Sequence, residues 1–404
     1  MVRLLRAAVV APVLLCLFTA VLPAQKKKKK PADDEGLILP PVVTDKKKKK
    51  DEDITQTLPP PAELPTAVVA ETDRLFYQVS PLSAKGLLSQ QTRDALRTLV
   101  RLNHGATVVK LRAFVAGSGD LRRISEIVGE TFTERRQPLP ALSVIQVGAL
   151  PLEGAQLVLE STALEKRSIN PDGVAFLSGQ PAPNVNQSLD RLKTALRAGD
   201  MEAADVLRAT CFVSSLEEQR NAGSLMSAAF PNASVNFVQM QREPVTPATE
   251  CEAVARLHGS SAQPLRFLNP PEFDKSPNYS QLALVTSTKV VISGTQLAFG
   301  AQENDIKLAF ERLQRALAQF KAGFDRIAMS HVYVTSPSMT AKVQSVRAGF
   351  YNRANPPAST MLPFEGLPSL DASFGVDVIV VPGRFQPDQC GSLAPFWLQL
   401  FVCE

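Results

Sequence analysis

Val206-Leu207-Arg208-Ala209-Thr210-Cys211-Phe212-Val213-Ser214 decides the fold, because the chain carries similar patterns twice more. Val108-Val109-Lys110-Leu111-Arg112-Ala113-Phe114-Val115-Ala116 precedes it, and Ile327-Ala328-Met329-Ser330-His331-Val332-Tyr333-Val334-Thr335 follows it. Each run has the length and the β-branched and aromatic content of a strand, and self-similarity along one chain points to a repeated unit.

A helical pattern precedes each strand. Ile306, Phe310, Leu313, Leu317 and Phe320 recur at helical spacing and share one face. Leu189, Leu192 and Leu196 form the same stripe in the second copy, and Ala95, Leu96, Leu99 and Val100 in the first. A shorter helix is expected after each strand, at 121–133 (loosely capped by Gly119-Asp120), 216–229 and 337–352. Two closing strands follow: 143–150 with 155–163, 234–241 with 249–255, and 360–367 with 373–381. Apolar strands at 174–177 and 289–292 run into Ser178-Gly179-Gln180 and Ser293-Gly294-Thr295, whereas in the first copy Ser80 to Gly86 replaces that strand and corner.

The expected fold class is therefore α+β, a βαβαββ unit with both helices on one sheet face. Boundaries fall at 67–166, 167–260 and 265–382, with a connector at 269–279 leading into the third unit.

Composition places these units on an exported chain. Arg3 and Arg6, the apolar run 7–22 and Pro23-Ala24-Gln25 follow the export pattern, with cleavage expected after Ala24; an uncleaved anchor over 7–24 is the alternative. Residues 25–66 hold Lys26 to Lys30, Lys46 to Lys50 and Pro59-Pro60-Pro61, the signature of a solvated, disordered linker. Its lysines are suited either to an anionic envelope surface or to a plain spacer. Residues 1–66 hold 12 of the 44 Lys and Arg against 8 of the 39 Asp and Glu, which leaves 32 against 31 for the rest, so the folded part has no field favouring nucleic acid.

Cys211, Cys251, Cys390 and Cys403 allow three pairings, of which Cys390 with Cys403 is preferred for its short loop. Three histidines, His104, His258 and His331, and no CxxC give no metal site. Nucleophile-elbow, phosphate-loop and metalloprotease motifs are absent, and no cofactor is expected. The tail at 383–404 is apolar from Phe396 to Val402, as expected of a segment docked on the body or on a partner.

The strand ending in Ser178-Gly179-Gln180, the central strand motif and the closing strand pair resemble the Rid family. These are the RidA-like reactive intermediate imine or enamine deaminases, also called endoribonuclease L-PSP or YjgF-like proteins, with a chorismate-mutase-like fold. The resemblance covers roughly 70–382. It implies a homotrimer-like arrangement with clefts at unit boundaries, which three copies on one chain would form alone as a monomeric pseudo-trimer. It also implies ligand contacts at Ser178, Gly179, Gln180, Ser293, Gly294, Ser359 and Thr360.

The family's motif arginine, which holds a substrate carboxylate, falls on Leu142, Ala233 and Ser359, and none of the three is arginine. Its glutamate falls on Val158, Glu250 and Gly375, so Glu250 is the one catalytic candidate; its other reading is a solvated strand residue. Arg112, Arg122 and Arg123 read as surface residues, and His331 as a packed or edge residue. The expected function is binding of an unidentified small molecule or a partner in the clefts without standard deaminase activity. The alternative is an imine or enamine deaminase with altered substrate.

Overall fold

The computed structural model describes residues 62–217, 219–242 and 248–383. The expected export signal, most of the linker, the apolar tail beyond Gly383, Cys390 and Cys403 lie outside them. No helix among the described residues is long and apolar enough to cross a membrane.

Three sheets follow one another along the chain. The first region holds β1 (Ala67–Glu71), β2 (Leu75–Val79), α1 (Leu88–Leu102), β3 (Thr107–Ala116), α2 (Arg122–Glu134), β4 (Ala141–Val147) and β5 (Leu157–Leu164). The second holds β6 (Val174–Ala182), α3 (Val185–Ala198), β7 (Val206–Val213), α4 (Ala222–Ala229), β8 (Ser234–Gln239), β9 (Thr249–Arg256), β10 (Leu265–Leu268) and β11 (Leu282–Val285). The third holds β12 (Lys289–Ser293), β13 (Gln296–Phe299), α5 (Glu303–Ala318), β14 (Ile327–Val334), α6 (Pro337–Arg347), β15 (Ala358–Pro363) and β16 (Ala372–Val380).

Each sheet is built on a parallel pair, β3 with β4, β7 with β8, or β14 with β15, and an antiparallel partner, β5, β9 or β16. A strand crossing over to a parallel neighbour needs a long connection, which α2, α4 and α6 supply. Local chemistry starts the helices: Asn184 accepts the Gln187 N–H at 3.0 Å, and Gln302 and Asp305 form a capping box on α5.

Period-two alternation then gives each sheet two different faces. Leu111, Ala113 and Val115 turn toward α1 and α2, and Ala209, Cys211 and Val213 toward α3 and α4. Val332 and Val334 turn toward α5 and α6. Each large aliphatic side chain buried in these layers, such as Leu192 or Leu313, contributes about 1.5–3 kcal/mol.

The opposite faces meet one another. Val109, Phe176, Val254, Met329 and Ile379 form one apolar cluster drawn from all three sheets, and Phe114, Phe212, Tyr333 and Phe364 belong to another. Between them along the strands lie Lys110, Arg112, Glu160, Arg208, Glu252, His331 and Asp377, all buried. Arg112 bridges Glu160 and Glu252, each at 2.7 Å. Thr210 and Asn236 donate to Glu160 at 2.8 Å. Ser143 donates to Asp377 at 2.5 Å, Tyr333 Oη at 3.0 Å, and His331 Nδ1 lies 2.8 Å from it. The layer thus ties the acid of each sheet to a side chain of another sheet.

Burial alone would raise the acids, but Arg112 and Arg208 hold Glu160 below the usual carboxylate range, and Lys110 and His331 do the same for Asp377. Burial would lower His331, yet Glu252 and Asp377 outweigh it and hold the imidazole above its ordinary value. Lys110 is pulled down to about 8 by burial despite Asp377.

Several expectations change. The first region does have its leading strand, β2, directly before Ser80. β1 pairs with β12 and extends the third sheet, while β10 and β11, flanking the expected connector, extend the second. α4 begins at Ala222 instead of 216, and α6 ends at Arg347 instead of 352. The end of the linker is not wholly solvated, since Leu64 packs on the first core. Cys211 and Cys251, directly opposite on β7 and β9, form a disulfide. Arg112 is not a surface residue; at 3% exposure it lies at the centre of the molecule.

Candidate functional site

The beginning of each closing strand pair meets the next sheet, producing three junctions. At the first–third junction Thr295 N–H donates to Leu142 O at 3.2 Å, and Lys110 Nζ donates to Ser293 O at 2.5 Å. At the third–second junction Ser359 N–H donates to Ser178 Oγ at 2.8 Å. At the second–first junction Ser234 Oγ donates to Tyr77 O at 2.8 Å.

The third–second junction gathers most of the expected site. Ser178 Oγ also donates to Ser280 O at 2.6 Å, and Gln180 Nε2 donates to Gln281 Oε1 at 2.8 Å. A Cβ on Gly179 would collide with the Glu250 carboxyl, so glycine is what lets that acid lie against the corner. Glu250 is half-buried. Burial, reinforced by Glu252, pushes its carboxyl up to about 8. Tyr279 is raised as well, by burial first and then by Glu250.

Arg347 joins this junction from the last turn of α6, and nothing in its local sequence announced it. It is 3% exposed. Its guanidinium reaches Ser359 Oγ at 3.4 Å and Asn278 O at 3.3 Å, both neutral. No carboxylate among the described residues pairs with it. Burial accordingly lowers its pKa.

The first–third cleft is different in character. It encloses about 400 Å³, lined by residues that include Leu142, Gly294, Thr295, Gln296, Leu297 and Glu63. A Cβ on Gly294 would lie 2.9 Å from Leu142 O, which requires glycine at that close approach. Ser293 Oγ accepts from Val378 N–H at 2.9 Å and is committed to the sheet. Thr360 stands opposite His331 at the register position held by Ser143 in the first sheet, so it belongs to the central layer. The strand register also moves one motif position: the residue standing where Leu142 and Ser359 stand is Val235, not Ala233, which lies in the turn before β8. Arg122 is exposed and pairs with Asp120, while Arg123 pairs with Glu126 and Glu130. Among the described residues, no group of three or more His, Cys, Asp or Glu is placed to hold a metal ion.

Fold and junctions define a class of mixed α+β proteins in which one sheet's closing strands meet the next sheet. Residues 271–382 match the family model described as Endoribonuclease L-PSP, and the relationship to the RidA/YjgF proteins is carried by that stretch. No curated protein matches the chain in sequence. Among solved structures, it is similar to a Rid-family protein of unknown function from Yersinia pestis, with 17% identity, a TM-score of 0.28, and coverage of 30% of this chain and 99% of that one. Yeast Mmf1 gives 21% identity, a TM-score of 0.22, and coverage of 30% and 98%. RidA from the Antarctic bacterium Psychrobacter gives 16%, 0.22, and coverage of 23% and 80%.

Proposed function

We propose that the chain is three RidA-like units fused into one pseudo-trimer that binds small molecules in its inter-unit clefts without standard imine deaminase activity. The cyclic set of junctions carries this reading, because each unit's closing strands complete the cleft of another unit. Leu142, Val235 and Ser359 at the motif positions remove the strand arginine that would hold an acidic substrate, and a charge-assisted pair of that kind contributes about 1.5–3 kcal/mol. Export through residues 1–24 belongs to the same proposal, supported by the Cys211–Cys251 disulfide, since such bonds persist in oxidising compartments. The lysine runs are proposed as a contact to anionic envelope surfaces.

The test is turnover of freshly generated 2-imino acids by the full chain, together with its mass by light scattering. Background-level turnover and a single-chain mass are expected. A mass of three chains would sink the pseudo-trimer. Turnover well above background would instead favour an altered deaminase, a second reading motivated by the half-buried Glu250 carboxyl against Gly179 in the Ser178–Gly179–Gln180 corner.

A further inference from the structure

Buried ions are held by counter-ions or driven to neutrality, because desolvating an unpaired charge is expensive. Arg347 satisfies neither condition. Guanidinium remains charged at any ordinary pH. Its two neutral contacts, at 3.4 and 3.3 Å, lie at the long end of the hydrogen-bond range and supply no negative charge. Ser178, whose hydroxyl accepts from Ser359 N–H at 2.8 Å, is neutral too, and the further group acting on the guanidinium is the Tyr351 phenol, held above its ordinary value by burial. Asn278, whose carbonyl the guanidinium reaches, belongs to segment 274–279, which is exposed at Asp274, Lys275 and Pro277.

We propose that Arg347 is the specificity-determining residue of the third–second cleft and makes it an anion site, so that the chain binds one small monocarboxylate per molecule and not three. This rests on the cleft reading above. The carboxylate takes the place of the Asn278 carbonyl on the guanidinium and accepts from the Ser359 hydroxyl, as segment 274–279 shifts outward. The cations of the other two junctions are either paired or open to water: Lys110 pairs with Asp377 at 3.4 Å, and Arg312, which donates to Leu297 O, is only half-buried. Leu142 and Val235 stand at the corresponding strand positions, the first–third cleft includes Glu63 in its lining, and Arg208 near Tyr77 is already paired with Glu252 at 3.3 Å.

The experiment is calorimetric titration of the full chain with pyruvate and with its neutral counterpart pyruvamide, repeated on Arg347→Gln and Arg347→Lys. Saturable pyruvate binding at one site per chain is expected, with pyruvamide bound at least about tenfold more weakly, the loss of one charge-assisted contact. Arg347→Gln should lose about tenfold or more for pyruvate, and Arg347→Lys should recover part of it. The pyruvamide comparison uses the unaltered chain and so survives a variant that fails to fold. Equal binding of pyruvamide, three sites per chain, or undiminished binding by a folded Arg347→Gln overturns the anion site while leaving a cleft that binds small molecules. Absence of saturable pyruvate binding also overturns it. The cleft reading itself falls only with a three-chain mass or with clefts that no neutral or charged small molecule occupies.

Discussion

Two buried guanidiniums teach different lessons. Arg112, at the centre, has carboxylates of two different sheets at 2.7 Å each. Arg347, in the third–second cleft, has a hydroxyl and a carbonyl at more than 3.2 Å and no acid among the described residues. Both are 3% exposed. Burial is therefore the same, and compensation differs. Where every charge is answered by another sheet, the layer fixes how the sheets meet. Where a charge is unanswered, the energy of burying it has been met by packing elsewhere, and the site has a use for an anion.

Arg112→Met is the strongest way to break the comparison. It leaves Glu160 and Glu252 with Arg208 as their shared cation, at 3.9 and 3.3 Å instead of the 2.7 Å of Arg112, and removing one partner of a buried pair costs about 3–5 kcal/mol. Denaturant unfolding should show that loss in the midpoint, with loss of cooperativity if the sheets separate. A change below about 1 kcal/mol would mean that the central layer does not hold the sheets. The disulfide comes next. Cys251 lies between Glu250 of the cleft and Glu252 of the layer, with its own side chain turned to the helices. Replacing Cys211 and Cys251 together by Ala should cost about 2–4 kcal/mol by thermal or denaturant melts under non-reducing conditions. Unchanged stability would show that the bond does not constrain this sheet.

The same contrast explains what could be read from sequence. The three central strands and the stripes on α1, α3 and α5 are local patterns, and the structure places them within a few residues of expectation. Arg112 could not be read, because its partners lie 48 and 140 residues away and a lone arginine on a strand looks solvent-facing. Arg347 could not be read either: near a helix C-terminus a basic residue is ordinary, and only the fold brings Ser359 and Asn278 to it. Ala233 follows from counting from Pro231, whereas the turn there runs two residues further before the strand begins at Ser234 and Val235 takes the register position of Leu142 and Ser359. The disulfide partner of Cys211 is set by strand register, which spacing along the chain does not reveal.

Glu250 offers a smaller effect with a definite sign. In the folded chain it keeps its proton to about 8, while an unfolded carboxyl releases it near 4.5. Between those values the unfolded state binds fewer protons, so stability falls as pH rises. Glu250→Gln removes that dependence. The stability difference, wild type minus Glu250→Gln, should fall by about 1–3 kcal/mol from pH 5 to pH 8. A flat difference would place the carboxyl in water.

Arg347→Met should give the smallest effect on stability, and opposite in sign to the loss at Arg112. Methionine has a similar unbranched reach and no charge to desolvate. The variant loses two weak contacts, to Ser359 Oγ and Asn278 O, and gains relief of an uncompensated burial. Replacing buried ions by apolar side chains of similar volume is often neutral or stabilising. Denaturant midpoints should therefore stay level or rise by about 1 kcal/mol, while pyruvate no longer stabilises the chain. Adding pyruvate to the wild type should narrow the gap, because an anion on the guanidinium supplies what Glu160 and Glu252 supply to Arg112. A destabilisation of about 3 kcal/mol in Arg347→Met would instead make Arg347 a structural latch on segment 274–279, and the two guanidiniums would then be doing the same job.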